Sequence, residues 1–145
     1  MGIDAFVYRE HAYSKRGTKI TGLISGKKYR RVGLVAAKGV SGIISPLQYD
    51  GSMDSVLFEH WLEFFLIPAL PSNATIVLDN ASFHRKRKLP SIAEKYGHAI
   101  IFLPPYSPQL NPIENFWAWL KGKLKKILHN HDDFDEALSC CFNII

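Results

Sequence analysis

The sequence predicts an α/β fold, and two observations support this prediction. Residues 74–78 and 99–103 are short and fully apolar, which is typical of strands buried in a sheet. The segments around them place apolar residues at helical spacing, so that strands and helices alternate. The predicted order is strand, strand, helix, strand, helix, strand, helix, helix, as in a mixed sheet flanked by helices. With 145 residues, the chain is expected to form a single domain over residues 1–145.

The first half of the chain predicts a hairpin and a helix. Residues 31–38 and 41–48 have strand composition, and Gly39 lies between them where a turn is needed. Ser52 can cap the helix that follows, and Pro68 and Pro71 end it. Apolar residues recur in this helix close to every 3.6 positions, at Val56, Leu57, Trp61, Leu62 and Phe65.

The second half predicts three helices around the two apolar strands. One helix ends at Gly97, the usual residue type just after a C-terminus. The longest spans residues 112–128, with Asn111 as its cap and Pro112 at its first position. A last helix begins near Asp132. The apolar stripe of the longest helix is expected at Ile113, Phe116, Leu120, Leu124 and Ile127.

Composition excludes several classes of protein. No apolar run reaches the roughly 18 residues of a membrane span, and no secretory signal is recognisable, so a cytoplasmic protein is expected. Cys140 and Cys141 are neighbours, which argues against a disulfide scaffold and a four-thiolate zinc site. We interpret them as buried thiols. The net charge of +5 suits a polyanion partner without proving one.

Two acidic residues occupy positions at which catalytic and ligand-binding residues are common. Asp79 directly follows the apolar segment 74–78, at the strand end where α/β proteins bind ligands. A turn or cap role explains Asp79 equally well. Glu114 falls in the first turn of the longest helix, where it could simply favour the helix dipole and close a capping box. Position alone does not decide between these roles.

The residues around Asp79 and Glu114 favour a functional role for this pair over a purely structural one. Residues 78–84 read LDNASFH and residues 103–117 read LPPYSPQLNPIENFW, with 34 residues between Asp79 and Glu114. This combination resembles the DDE transposases of the mariner superfamily, in particular the branch of bacterial insertion sequences. In that family a strand-end Asp and a Glu have this separation, and the Glu follows an Asn-Pro-Ile turn.

The resemblance implies a ribonuclease-H-like fold and a two-metal DNA strand transferase. Asp79 and Glu114 would be catalytic metal ligands for two Mg²⁺ ions, for which Mn²⁺ can substitute. Hard cations of this kind take oxygen ligands, and paired ions activate the nucleophile and stabilise the leaving oxygen. Asn80, His84 and Asn111 would lie beside the metal or contact the DNA backbone. For His84, a surface or capping role is favoured over metal ligation.

The family site needs a third carboxylate on an opening strand, in an Asp-Glu-x-Gly stretch. Matching its Gly to Gly2 places the first Asp two positions before Met1, and Asp4 falls on the wrong side of that Gly. The chain is therefore expected to lack this Asp and the first strand. We interpret it as a C-terminal catalytic-domain fragment that is inactive alone, from a truncated gene, a frameshifted second reading frame or a misplaced start codon.

Three basic clusters could neutralise DNA phosphates. DNA contact is favoured for the second cluster because it follows Asp79, whereas a solvated helix face explains the third equally well. They comprise Lys27, Lys28, Arg30 and Arg31; then Arg85, Lys86, Arg87 and Lys88; then Lys121, Lys123, Lys125 and Lys126.

The resemblance also implies partners. These are DNA, as transposon ends and target, together with a second copy of the chain or full-length transposase, and a nucleoid-associated location. A non-catalytic DNA-binding or regulatory remnant is the alternative function. Another ribonuclease-H-like nuclease, such as a resolvase, fits the NPIENFW turn less well.

Overall fold

The computed structural model describes residues 2–3, 32–131 and 133–142. Its elements agree with the mixed α/β prediction, and each predicted strand in these ranges lies within two residues of an observed one. The strands are β1 (Gly2–Ile3), β2 (Val32–Gly39), β3 (Gly42–Asp50), β4 (Thr75–Leu78) and β5 (Ala99–Phe102). The α-helices are α1 (Ser55–Trp61), α2 (Lys88–Lys95), α3 (Ile113–Ile127) and α4 (Phe134–Phe142).

The first sheet has the order β1-β2-β3 and is antiparallel. Its hairpin turns at Val40 and Ser41 rather than at Gly39, which pairs with Gly42 at the end of the ladder. Gly42 has a φ of +136°, a conformation that glycine tolerates best. The expectation that the first strand is missing needs correction, because two residues of a strand, β1, pair with β2.

The second sheet consists of β4 and β5, which are parallel. Ile76 of β4 is buried, but Val77 is 49% exposed and its partner Ile101 is 55% exposed. The prediction that the apolar segments are buried on both faces is therefore wrong. Helices of the described residues cover one face of this pair and leave the other open.

α1 begins after Asp54, whose carboxylate accepts a hydrogen bond from the Leu57 amide at 2.8 Å. Ser52 is therefore not the cap, because Asp54 stands directly before the first helical residue in extended conformation. The helix continues as a π-helical turn (Leu62–Leu66) and a 3₁₀ turn (Ile67–Ala69). Pro68 lies in that last turn, and the chain becomes extended at Leu70, as the predicted helix end requires.

Two apolar cores hold the helices on the sheets. The first core joins β2 to α3 and α4, and the second joins α1, α2 and β4. Trp117 is buried in the first core while Trp119 is 42% exposed, and Cys141 is a buried free thiol whose pKa is raised by burial. The first core comprises Val32, Leu34, Trp117, Leu120, Leu124, Leu128, Phe134, Ala137, Leu138 and Cys141. The second comprises Val35, Phe58, Trp61, Leu62, Leu66, Ile67, Ile76 and Leu89.

Among the helices in the described ranges, none combines the length and the apolar character needed to cross a membrane.

Candidate functional site

Asp79 stands at the carboxyl end of β4, where the strand gives way to a loop. Its Oδ1 accepts a hydrogen bond from Nε2 of His84 at 2.9 Å and a second from the Ala81 amide at 3.2 Å. The bond from His84, and then that from Ala81, lower the pKa of Asp79 against the opposing effect of burial. Its side chain is 55% exposed, so the site presents an ionised and accessible carboxylate.

His84 is a buried residue that forms a hydrogen bond with Asp79. Its ring is buried, with centroids 4.4 Å from Phe58 and 4.5 Å from Phe83. Of the favoured surface or capping role, the surface part is therefore wrong, because aromatic packing encloses the ring. Nδ1 is buried and has no hydrogen-bond partner in the described part of the chain. Because a carboxylate oxygen can only accept, Nε2 carries a proton and donates it to Asp79.

Glu114 is the second residue of α3 and is exposed. Its amide donates to the backbone carbonyl of Asn111 at 3.1 Å, and no side chain caps this helix. The expected side-chain cap at Asn111 is therefore wrong, because the Asn111 carbonyl and the turn at Pro112 begin the helix instead. The Asn111 side chain is thus not used as a helix cap.

Asp79, His84, Asn111 and Glu114 all line one groove of about 790 Å³. It lies between β2 and β4. Its lining includes the carboxyl end of β4 and the first residues of α3. Asn80 is half-buried beside Asp79 in the chain but is not part of the lining. The predicted site residues that line the groove are Asp79, His84, Asn111, Glu114 and Lys121.

The predicted DNA-contacting stretch is exposed but only partly available. Arg85 and Lys88 both form ion pairs with Glu59 of α1, which is buried. Within the described residues, no ion pair involves Lys86 or Arg87. Sequence analysis missed Glu59. The sequence feature that could have identified Glu59 is an acidic residue within an apolar helix, in a chain that also has four consecutive basic residues at 85–88.

Other basic residues are placed unevenly. Lys121 lines the groove, whereas Lys125 and Lys126 are exposed farther along α3. The first basic cluster, Lys27 to Arg31, and Asp4 lie outside the described residues. Lys121 is therefore the residue of the third cluster that lines the groove, which Lys38 of β2 also lines.

Comparison with known proteins adds a family to this geometry. The model for the family described as "DDE superfamily endonuclease" matches residues 1–137, nearly the whole chain. This chain belongs to the DDE endonuclease superfamily. It is also similar to an uncharacterized protein, y4pE/y4sA, of Sinorhizobium fredii (strain NBRC 101917 / NGR234), with 34% identity over 77 residues. That alignment covers 48% of this chain and 49% of the relative, so the chain spans about half of the curated relative that it matches.

DDE endonucleases act on DNA and use divalent metal ions. Asp79 and Glu114 suit such an ion, because both are carboxylates that line one groove and Asp79 is held ionised. Across residues 2–3, 32–131 and 133–142, no three His, Cys, Asp or Glu side chains lie close enough together to form a metal site. The described part of this DDE chain therefore supplies two carboxylates to the groove.

Proposed function

We propose that this chain is the catalytic domain of a DNA transposase of the mariner superfamily, in the branch of bacterial insertion sequences. Its fold would be ribonuclease-H-like, and its reaction metal-dependent DNA cleavage and strand transfer. One observation supports this most: Asp79, at a strand end, and Glu114, at a helix start, line the same groove. The membership of the DDE superfamily agrees with it.

In this proposal Asp79 and Glu114 hold Mg²⁺ or Mn²⁺. When bound, the metal supplies Lewis acidity for the attacking and leaving oxygens of a phosphodiester. His84 is a positioning residue: its Nε2 hydrogen bond at 2.9 Å fixes the orientation of the Asp79 carboxylate. Asn111 and Lys121, which also line the groove, would bind the DNA backbone there.

Outside the groove, Lys86 and Arg87 are the best-placed phosphate contacts. Both are exposed and follow the Asp79 loop, and neither takes part in the ion pairs that occupy Arg85 and Lys88. Their contribution to DNA affinity should decrease with salt concentration and show no sequence preference.

Metal binding tests the proposed roles directly. The affinity of the chain for Mn²⁺, measured by calorimetry, should fall by more than about a hundredfold in Asp79→Asn and in Glu114→Gln. Loss of a residue that merely hydrogen-bonds to a metal ligand already lowers metal affinity by about 10–100-fold, and loss of a ligand itself should lower it further. Glu94→Gln is the matched control, since Glu94 is an exposed acid of α2 that does not line the groove. Unchanged Mn²⁺ binding in both groove variants would refute the assignment.

A non-catalytic DNA-binding or regulatory remnant is the second candidate. The observation in its favour is that the described residues provide two groove carboxylates and no group of three metal-binding side chains. Such a remnant would bind DNA in a salt-dependent manner, and its Mn²⁺ binding would not differ between the parent chain, Asp79→Asn and Glu94→Gln. Selective loss of Mn²⁺ binding in Asp79→Asn would argue against it.

A further inference from the structure

The connection between β4 and α2, residues 79–87, carries both members of the Asp79–His84 pair, and we name it the site loop. It contains neither helix nor strand and turns through local bonds, such as that from the His84 amide to the Ala81 carbonyl at 3.1 Å. Connecting segments of this kind are more mobile than the elements that they join. The 2.9 Å hydrogen bond from His84 to Asp79 therefore depends on what holds the loop.

α1 holds the site loop through two consecutive residues. The Phe58 ring lies 4.4 Å from the His84 ring, measured between centroids. Glu59 pairs with the next loop residue, Arg85, at 3.2 Å between Oε1 and Nε. The second oxygen, Oε2, pairs with Nζ of Lys88, the first residue of α2. Two neighbours in α1 thus contact two neighbours in the loop, and Glu59 also joins the loop to the start of α2.

The Glu59 carboxylate differs from its partners in burial. Its side chain is 8% exposed, whereas those of Arg85 and Lys88 are 47% and 53% exposed. Oε1 is buried and has no hydrogen-bond partner among the described residues, so the charge of Arg85 is what compensates it there. A buried carboxylate that loses its cations is strongly unfavourable. Glu59 therefore attracts both cations to α1 and keeps this end of the loop in place.

We infer that Glu59 is a positioning residue for the candidate site: by holding Arg85 and Lys88 at α1, it keeps His84 within hydrogen-bond distance of Asp79. Glu59 does not line the groove, so it acts on the site through the loop. The expected effect on metal affinity rests on the proposed function, whereas the effect on His84 does not.

Glu63 provides a matched comparison one turn farther along the same helical segment. Its Oε1 accepts hydrogen bonds from Nζ of Lys95 at 3.2 Å and from the hydroxyl of Tyr96 at 2.9 Å. These partners stand at the opposite end of α2 from Lys88. Replacing Glu63 should therefore weaken the attachment of α2 without moving His84.

The test uses the His84 ring as its own reporter in the metal-free chain. Isotope-labelled histidine should give a slowly exchanging Nε2 proton in NMR spectra near neutral pH, assigned to His84 by its absence in His84→Gln. Glu59→Gln should speed the exchange of this proton with water by at least about tenfold, because the loop opens more often. Glu63→Gln should leave the rate within about twofold of the parent. Equal rates in the parent and Glu59→Gln, or equal acceleration in both variants, would overturn the inference.

Two further variants separate positioning from a general loss of fold. Arg85→Gln removes one half-exposed partner and should speed the exchange less than Glu59→Gln does. Glu59→Asp retains the charge and should exchange more slowly than Glu59→Gln. Circular dichroism of each variant shows whether the chain is folded. A folded Arg85→Gln chain with the parental rate would contradict the inference, as would Glu59→Asp with the rate of Glu59→Gln.

Mn²⁺ affinity distinguishes this inference from the proposed function. Glu59→Gln should lower the affinity by about tenfold, the lower end of the effect of residues that orient a metal ligand, and Glu63→Gln should not. Faster His84 exchange in Glu59→Gln with unchanged Mn²⁺ binding in Asp79→Asn supports the positioning of His84 and contradicts the proposed function. Unchanged His84 exchange with loss of Mn²⁺ binding in Asp79→Asn supports the proposed function and overturns the role of Glu59.

Discussion

The hairpin and the parallel pair show two ways of building a sheet in one chain. β2 and β3 have 8 and 9 residues and are joined by a two-residue turn, so their pairing is local. β4 and β5 have 4 residues each and are separated by residues 79–98, which contain α2. The local sheet is the longer one, whereas the non-local pair carries Asp79 at its end. The candidate site residue Asp79 thus belongs to the smaller of the two sheets.

The helices attached to the two sheets differ in the same way. α3 and α4 pack on the hairpin sheet through the apolar side chains of the first core, and one hydrogen bond, from Gln48 of β3 to Asp135 of α4 at 2.6 Å, adds to this packing. α1 and its π-helical turn additionally contact α2 and the residues that flank it through two sets of polar pairs. Glu59 pairs with Arg85 and Lys88, and Glu63 accepts hydrogen bonds from Lys95 and Tyr96. Packing therefore dominates one region, and charge contributes visibly to the other.

The largest expected effect is on the first core. Leu120 of α3 is completely buried, so Leu120→Ala should lower the free energy of unfolding by about 2–5 kcal/mol through lost burial and a cavity. Urea denaturation followed by circular dichroism measures this change. A loss below about 1 kcal/mol would contradict the view that this packing dominates the hairpin region.

Glu59→Gln should have the next largest effect, at about 1–3 kcal/mol, because it removes the partner of Arg85 and Lys88 from a buried position. Both cations are about half-exposed and can return to water, which limits the cost. Glu94→Gln on exposed α2 surface is the control. The difference between the two variants should shrink in high salt; a salt-independent difference would argue against an ionic origin.

A smaller effect is expected on the open face of the parallel pair. Ile101 is 55% exposed, so Ile101→Ala should cost at most about 0.5 kcal/mol. Its neighbour on the covered face provides the matched comparison: Ile100 packs on the second core and should cost more when replaced by Ala. Similar losses in urea denaturation for the two variants would show that both faces are covered in solution.

The smallest effect is a pH dependence at Glu63. Hydrogen bonds from Tyr96, and then from Lys95, lower the pKa of this half-buried carboxylate. A lowered pKa stabilises the fold above the unfolded pKa of Glu, near 4.3, and the contribution is lost as pH falls through the folded pKa. The melting temperature of the parent chain should therefore fall more than that of Glu63→Gln on acidification from about pH 6 to pH 3. Parallel pH profiles would contradict this role.

Local signals in the sequence predicted most of the fold. Alternating and apolar runs predicted each described strand from β2 to β5, and Gly97, with a φ of +79°, marks the end of α2 as expected. The helix cap was harder to predict, because Ser52 and Asp54 are both residue types that cap helices well. Only the observed start of α1 at Ser55 shows that Asp54 is the cap. Burial of the parallel pair could not be predicted, since it depends on which faces distant helices cover.

The candidate site was predicted in part for a similar reason. The motifs selected Asp79 and Glu114, and the groove contains both. The pairing of His84 with Asp79 spans five residues, and it depends on a loop conformation that the residue types alone do not specify. The burial of Glu59 against a basic loop depends on contacts between elements 26 or more residues apart, for which one sequence offers no direct measure.

The two hydrogen bonds at Asp79 have a consequence for any cation that reaches the strand end. His84 and Ala81 both bond to Oδ1, and the burial of the His84 ring keeps the first of these bonds in place. Neither of the two bonds uses Oδ2 of the same carboxylate. One oxygen therefore sets the orientation of the side chain while the other can receive a ligand.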